Sequence, residues 1–138
     1  MIHIDEENGT KIVGISEPAQ LIRSGMNSYG ISLNCSTLLS YKDVRGVTIP
    51  TNFMRRRILQ AKTLDEAKKV IAGFHPCVSL NYVITSAKDQ DAIVYETTPV
   101  ENFELYPNRG IITQGNDILA DPAIDRFVMD ESTFIWRN

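Results

Sequence analysis

The stretch TLDEAKKVIAGFHP (63–76) decides the class of fold. Thr63 and Glu66 have the spacing of a capping box, in which Thr63 accepts from the third helical N–H and Glu66 reaches back. Leu64, Ala67, Val70, Ile71 and Phe74 then recur at helical spacing. They make one apolar stripe, which another layer of structure must cover. Gly73 and Pro76 close the helix. Just upstream, Pro50-Thr51-Asn52 offers a second helix start, and FMRRRILQA (53–61) continues it with good helix formers.

The pattern changes on both sides of this helical pair. Upstream, KIVGI (11–15), AQLIR (19–23) and YGISLNC (29–35) are apolar or alternating runs, as strands require. Ser16-Glu17-Pro18 and the run from Ser24 to Ser28 separate them as turns. Downstream, CVSLNYVITSA (77–87) and AIVYETT (92–98) flank Lys88-Asp89-Gln90-Asp91, the turn of a hairpin. NFELY (102–106) and GIITQ (110–114) flank Pro107-Asn108-Arg109 as a further pair of strands. From Asn116 onward there is no clean period. Strands, a helical pair, then strands again specify an α+β fold, with the pair on one face of an antiparallel sheet.

The 138 residues are one domain's worth, with 43% apolar and 22% charged residues, as in an ordinary globular chain. The net charge of −3 lacks the basic footprint of a nucleic-acid binder. Arg55-Arg56-Arg57 is the one basic run and reads as a solvated helix face, with an anion site as the alternative. No apolar stretch reaches the ~20 residues that span a bilayer, and the N-terminus has no signal-peptide pattern. Cys35 and Cys77 sit in apolar runs as buried structural thiols rather than a disulfide framework. With only His3 and His75 beside them, a zinc site has too few ligands. These features point to a cytoplasmic protein.

No phosphate loop, dinucleotide fingerprint, zinc-protease helix or nucleophile elbow occurs. His75 and Cys77, two apart, share a face if the segment is a strand, but Pro76 between them makes the pairing incidental. The residues that stand out are amides at turns or strand ends: Asn27 in GMNSYG, Asn81 in SLNYVI, and Gln114 and Asn116 in ITQGND. Side-chain amides can donate to the oxyanion of acyl transfer. The alternative for each is a turn-forming side chain.

Four stretches, in order, resemble one family. GMNSYGISLNCSTL (25–38) looks like its Gly-hydrophobic-Asn-x-x-Gly strand. GVTIPTNFMRRRILQAKTLDEAKKVI (46–71) looks like its helix pair. SLNYVITSAKDQDAIVYETTP (79–99) looks like its Asn-Tyr strand, acidic turn and strand ending in Glu-x-x-Pro. IITQGNDILADPAIDRF (111–127) looks like its Thr-Asn segment followed by Asp-Pro and Asp-Arg. Together they resemble the middle of the acyl-coenzyme A:6-aminopenicillanate acyltransferase-like enzymes. These are linear-amide C–N hydrolases related to choloylglycine hydrolase and acid ceramidase, in the cysteine branch of the N-terminal-nucleophile (Ntn) hydrolases. The resemblance implies a partial αββα sandwich over residues 1–138. It also implies a cysteine nucleophile exposed by self-cleavage whose α-amino group is the base, small acylated amines or amides as substrates, and no metal or other cofactor.

On the same resemblance, Asn27 and Gln114 are oxyanion or substrate-positioning candidates. Gln114 stands where the family carries asparagine; Asn116 is the alternative there. Arg126 matches an arginine that helps set the site in ceramidase-like relatives, with an ion pair to Asp121 or Asp125 as the other reading. The family's cysteine lies upstream of the segment like GMNSYG. Only 26 residues precede Asn27 here, and none is cysteine. The expectation is therefore a fragment that lacks the nucleophile and the C-terminal end, inactive alone, its partner a missing upstream segment. The alternative is a non-catalytic homodimer that binds an acyl ligand or another protein.

Overall fold

The structure is a computed structural model and describes residues 1–126. Seven strands form one antiparallel sheet in chain order: β1 (Ile2–Asp5), β2 (Lys11–Ile15), β3 (Ser24–Asn27), β4 (Ile31–Thr37), β5 (Leu80–Ser86), β6 (Asp91–Thr97) and β7 (Asn102–Leu105). Two helices, α1 (Thr51–Ile58) and α2 (Leu64–Ala72), lie in the connection between β4 and β5. They cover one face of the sheet. This is the α+β arrangement expected from the change of periodicity, and it matches part of an αββα sandwich.

The period-2 alternation of the strands sorts side chains between the two faces. Cys35, Tyr82 and Tyr95 are cross-strand partners on the helix side, as are Leu33, Ile84 and Ile93. With Ile58, Leu64, Ala67 and Ile71 from the helices they form the main core, all buried. Each leucine or isoleucine among them contributes about 1.5–3 kcal/mol of transfer free energy. The opposite face carries Asn34, Ser36, Asn81, Val83, Val94 and Glu96. A second small cluster of Leu38, Ile118, Ile124 and Phe103 covers one end of it.

The start of α2 is held twice. Thr63 Oγ1 accepts from Glu66 N at 3.2 Å, as a capping box requires. The Glu66 carboxylate reaches back one residue further than expected, to Lys62 N at 2.8 Å. Leu64 N, a free helical donor, is satisfied from the β5–β6 turn by Asp89 Oδ2 at 2.7 Å. The hydrogen bonds from Ser86 Oγ and Leu64 N hold the Asp89 carboxyl below its ordinary range. At the far edge, Tyr106 and Tyr95 hydroxyls and Lys68 all engage Glu104, which fastens β7 to α2 and lowers the Glu104 pKa.

Two expected strands are absent. AQLIR (19–23) is a loop, with Ala19 at φ 64° and Arg23 N donating to Ile15 O at 2.9 Å. The strand is instead Ser24–Asn27, within the run read as a turn. Glycines make this possible. Gly14 and Gly25 are cross-strand partners, and a Cβ on Gly25 would lie 2.4 Å from Val13 O. The missing side chain at Gly14 leaves room for Ile22, whose Cδ1 lies 2.7 Å from where a Gly14 Cβ would be. So the apolar content of AQLIR is a single buried residue over a glycine, not a strand. GIITQ (110–114) forms only a bridge between Ile111 and Asn108 across Arg109 and Gly110, both at positive φ. Ile111 is 70% exposed, and the segment beyond it turns back over the sheet.

Replacing Thr63→Ala removes one of the two caps on α2. A loss of about 1 kcal/mol is expected in urea unfolding, with the m-value unchanged.

Candidate functional site

Glu96 anchors the polar end of the helix-free face. The alternation of β6 sends Val94 and Glu96 to the helix-free face, and both are fully buried. A buried carboxylate persists only where hydrogen bonds replace its water. Glu96 Oε1 accepts from Gln114 Nε2 and from Leu119 N, each at 2.8 Å, and Oε2 accepts from Ala120 N at 2.9 Å. Its cross-strand neighbour Asn81 donates to Ser36 Oγ at 2.8 Å and to Gly115 O at 2.9 Å. Asn116 Nδ2 donates to Thr37 O at 3.0 Å. Residues 114–120 are thus tied to β4, β5 and β6 at once.

The structure brings Asn81, Gln114 and Asn116 together here. Asn81 and Gln114 each donate twice within the fold, while the exposed Asn116 donates once, to Thr37 O. Gln114 Nε2 donates to Asp117 O at 2.9 Å as well as to Glu96, while its Oε1 is buried without a partner among the described residues. Donation from Gln114 to an oxyanion therefore requires exchange of one of these bonds.

Asn27 is elsewhere. Its side chain lies on the helix side of the sheet, 7% exposed. Nδ2 donates to Leu59 O at 2.9 Å and Ala61 O at 2.6 Å, and Oδ1 accepts from Tyr29 N and Ile31 N at 2.9 and 3.0 Å. These four bonds join the β3–β4 turn to the C-terminal end of α1. Arg126 is exposed, with its backbone N–H donating to Leu39 O at 2.9 Å. Asp125, next to it, accepts from Ile118 N at 2.9 Å and helps seat the final turn.

Neither thiol is placed as a nucleophile. Cys35 faces the core under α1, and burial pushes its pKa up, with the neighbouring Arg55 guanidinium pulling the other way. Burial also raises the pKa of the Tyr82 hydroxyl beside it, which has no hydrogen-bond partner among the described residues. Cys77 lies in the α2–β5 connection with its Sγ 3.2 Å from where a Gly46 Cβ would be, and it is partly exposed. His75 is exposed, and its carbonyl accepts from Thr48 Oγ1 at 3.2 Å. Of the arginine run, Arg56 pairs with Glu6 at 2.6 Å, so part of that face holds the β1–β2 loop.

A sequence-family model described as acyl-coenzyme A:6-aminopenicillanic acid acyl-transferase matches residues 10–134. The chain belongs to that family. Among solved structures, a variant of the conjugated bile acid hydrolase from Clostridium perfringens is similar in fold. It is 19% identical, with a TM-score of 0.52, over 78% of this chain and 40% of that one. The chain thus spans less than half the length of that hydrolase. Comparison with curated protein sequences gives no match. In the sequence, Glu96 stood only as the first residue of the Glu-x-x-Pro run, with no role given to it.

With a maleimide at pH 7.5, Cys77 is expected to label on the native chain while Cys35 stays unmodified until the protein is unfolded. Mass spectrometry of the modified peptides checks this. Because the Cys35 pKa is raised on folding, its contribution to stability is complete below the ordinary thiol range. That contribution is lost as pH rises toward the raised value.

Proposed function

We propose that this chain forms the core layer of an enzyme that hydrolyses, or transfers the acyl group across, carbon–nitrogen bonds of small acylated amines. The observation that carries the reading is the gathering of Asn81, Gln114 and Asn116 on the helix-free face, inside the segment that matches the family. In this reading the reacting thiol comes from a cysteine-led segment outside these residues, which lies against the helix-free face. Gln114, or Asn116 beside it, positions the substrate carbonyl. Asn27 acts through the fold: it fixes the β3–β4 turn. Arg126, exposed where the chain returns to Leu39, is a further candidate for positioning the substrate.

A second reading is a homodimer or interaction module that carries out no chemistry. It draws on Ile15 and Met26, which lie on the helix-free side of β2 and β3 and are 67% and 55% exposed. Apolar groups of this kind gain from a partner layer.

The test is amine release from a panel of N-acyl amines by the translation product of the whole locus. The expected result is turnover that iodoacetamide abolishes and that survives both Cys35→Ser and Cys77→Ser within about threefold. Absence of turnover together with a discrete dimer in sedimentation would favour the second reading. Loss of turnover in Cys77→Ser alone would contradict the first.

A further inference from the structure

The Gln114 amide is held in an orientation that is costly for one of its two atoms. Its nitrogen faces two acceptors, Glu96 Oε1 and Asp117 O. Its oxygen is buried with no partner among the described residues. A buried acceptor left unpaired costs about 1–3 kcal/mol. Turning the amide over is worse, because its oxygen would then face the Glu96 carboxylate and the Asp117 carbonyl. The charge on Glu96 therefore dictates which atom of Gln114 points where.

The same carboxylate takes the main-chain N–H groups of Leu119 and Ala120, so it fixes the loop that carries Gln114 as well as the amide itself. Asn81, directly across the strand pair from Glu96, holds the next carbonyl, Gly115 O, from the same face. Two side chains from adjacent strands thus converge on residues 114–116, and of these only Glu96 reaches the Gln114 side chain.

The geometry points to Glu96 as the positioning residue of the site: it sets the orientation of the Gln114 amide from beneath. This rests on the amidohydrolase reading for its catalytic consequence, but the orientation itself is a property of the fold. A carboxylate is needed for the role. Glutamine at position 96 has nearly the same shape and one oxygen, but its amide nitrogen would confront N–H donors. The Gln114 amide would then be free to turn over and pair its oxygen. Misplacement of a reacting group by such a change lowers rate by roughly 10²-fold.

Two measurements test this separately. In the 138-residue chain, NMR reads solvent exchange of the Gln114 side-chain amide against that of exposed Gln90 as an internal standard. The wild type is expected to exchange at least tenfold more slowly at Gln114 than at Gln90, and Glu96→Gln to lose most of that difference. Equal rates in the wild type overturn the proposal even if the variant does not fold. So does undiminished protection in a folded Glu96→Gln. In the whole protein, Glu96→Gln is expected to lower kcat about 10²-fold with KM within threefold of wild type. An unchanged kcat overturns the positioning role. If the wild-type protein shows no amide hydrolysis, the functional reading has failed, and the exchange measurement still decides the orientation.

Discussion

The Asn27 side chain joins the sheet to the helical pair through four hydrogen bonds, and most of the architecture hangs on where it sits. Its two acceptor contacts, to Tyr29 N and Ile31 N, close the turn that sends β4 back beside β3. Its two donor contacts satisfy Leu59 O and Ala61 O, carbonyls at the end of α1 that have no further helical turn to pair with. The end of α1 is thereby set above the core, and α2 follows after a short connection. Ile58 and Leu59, both fully buried, pack into the core at this junction. A side-chain amide suits the position because it offers donors on one side and an acceptor on the other.

This placement divides the polar side chains of the family segment into two groups with different tasks. On the helix side, Asn27 organises packing. On the other face, Asn81 and Glu96 stand side by side and draw the returning loop, residues 114–120, down over the strand ends. The small cluster of Leu38, Ile118 and Ile124 seals that end with apolar contacts, and Asp125 and Asp43 satisfy backbone N–H groups around it. The helix-free face is therefore covered at one end by residues 114–120 and open toward β2 and β3, where Ile15 and Met26 face outward. Such a division suits a layer that presents a fixed polar constellation to a second layer.

The sequence made the sheet-and-helix architecture legible because its signals were local. The stripe from Leu64 to Phe74, the Thr63 cap and the alternation of β5 and β6 each state their geometry within about ten residues. The β2–β3 region was misread because its determinants are not local: Gly14 and Gly25 admit Ile22 and a close strand pair only when they face each other across the sheet. GIITQ has strand composition but turns away after Gly110, toward bonds with Glu96 that lie far off in the chain. Asn27, Asn81, Gln114 and Asn116 stood out in the sequence as amides at turns or strand ends. Which of them share a face depends on register, and that became visible only with the strands paired. Glu96 was visible only as the start of the Glu-x-x-Pro run. A buried acid shows its role only once its donors, drawn from more than 15 positions away, are in place.

Equilibrium unfolding of Asn27→Ala measures most directly whether this residue is an architectural tie or a catalytic amide held ready for substrate. If the side chain is the tie between sheet and helices, its removal strands buried backbone donors and acceptors. Stability should then fall by roughly 2–4 kcal/mol. Stability within about 0.5 kcal/mol of wild type, the usual result at a position free of such contacts, would contradict that assignment and return Asn27 to the reacting group.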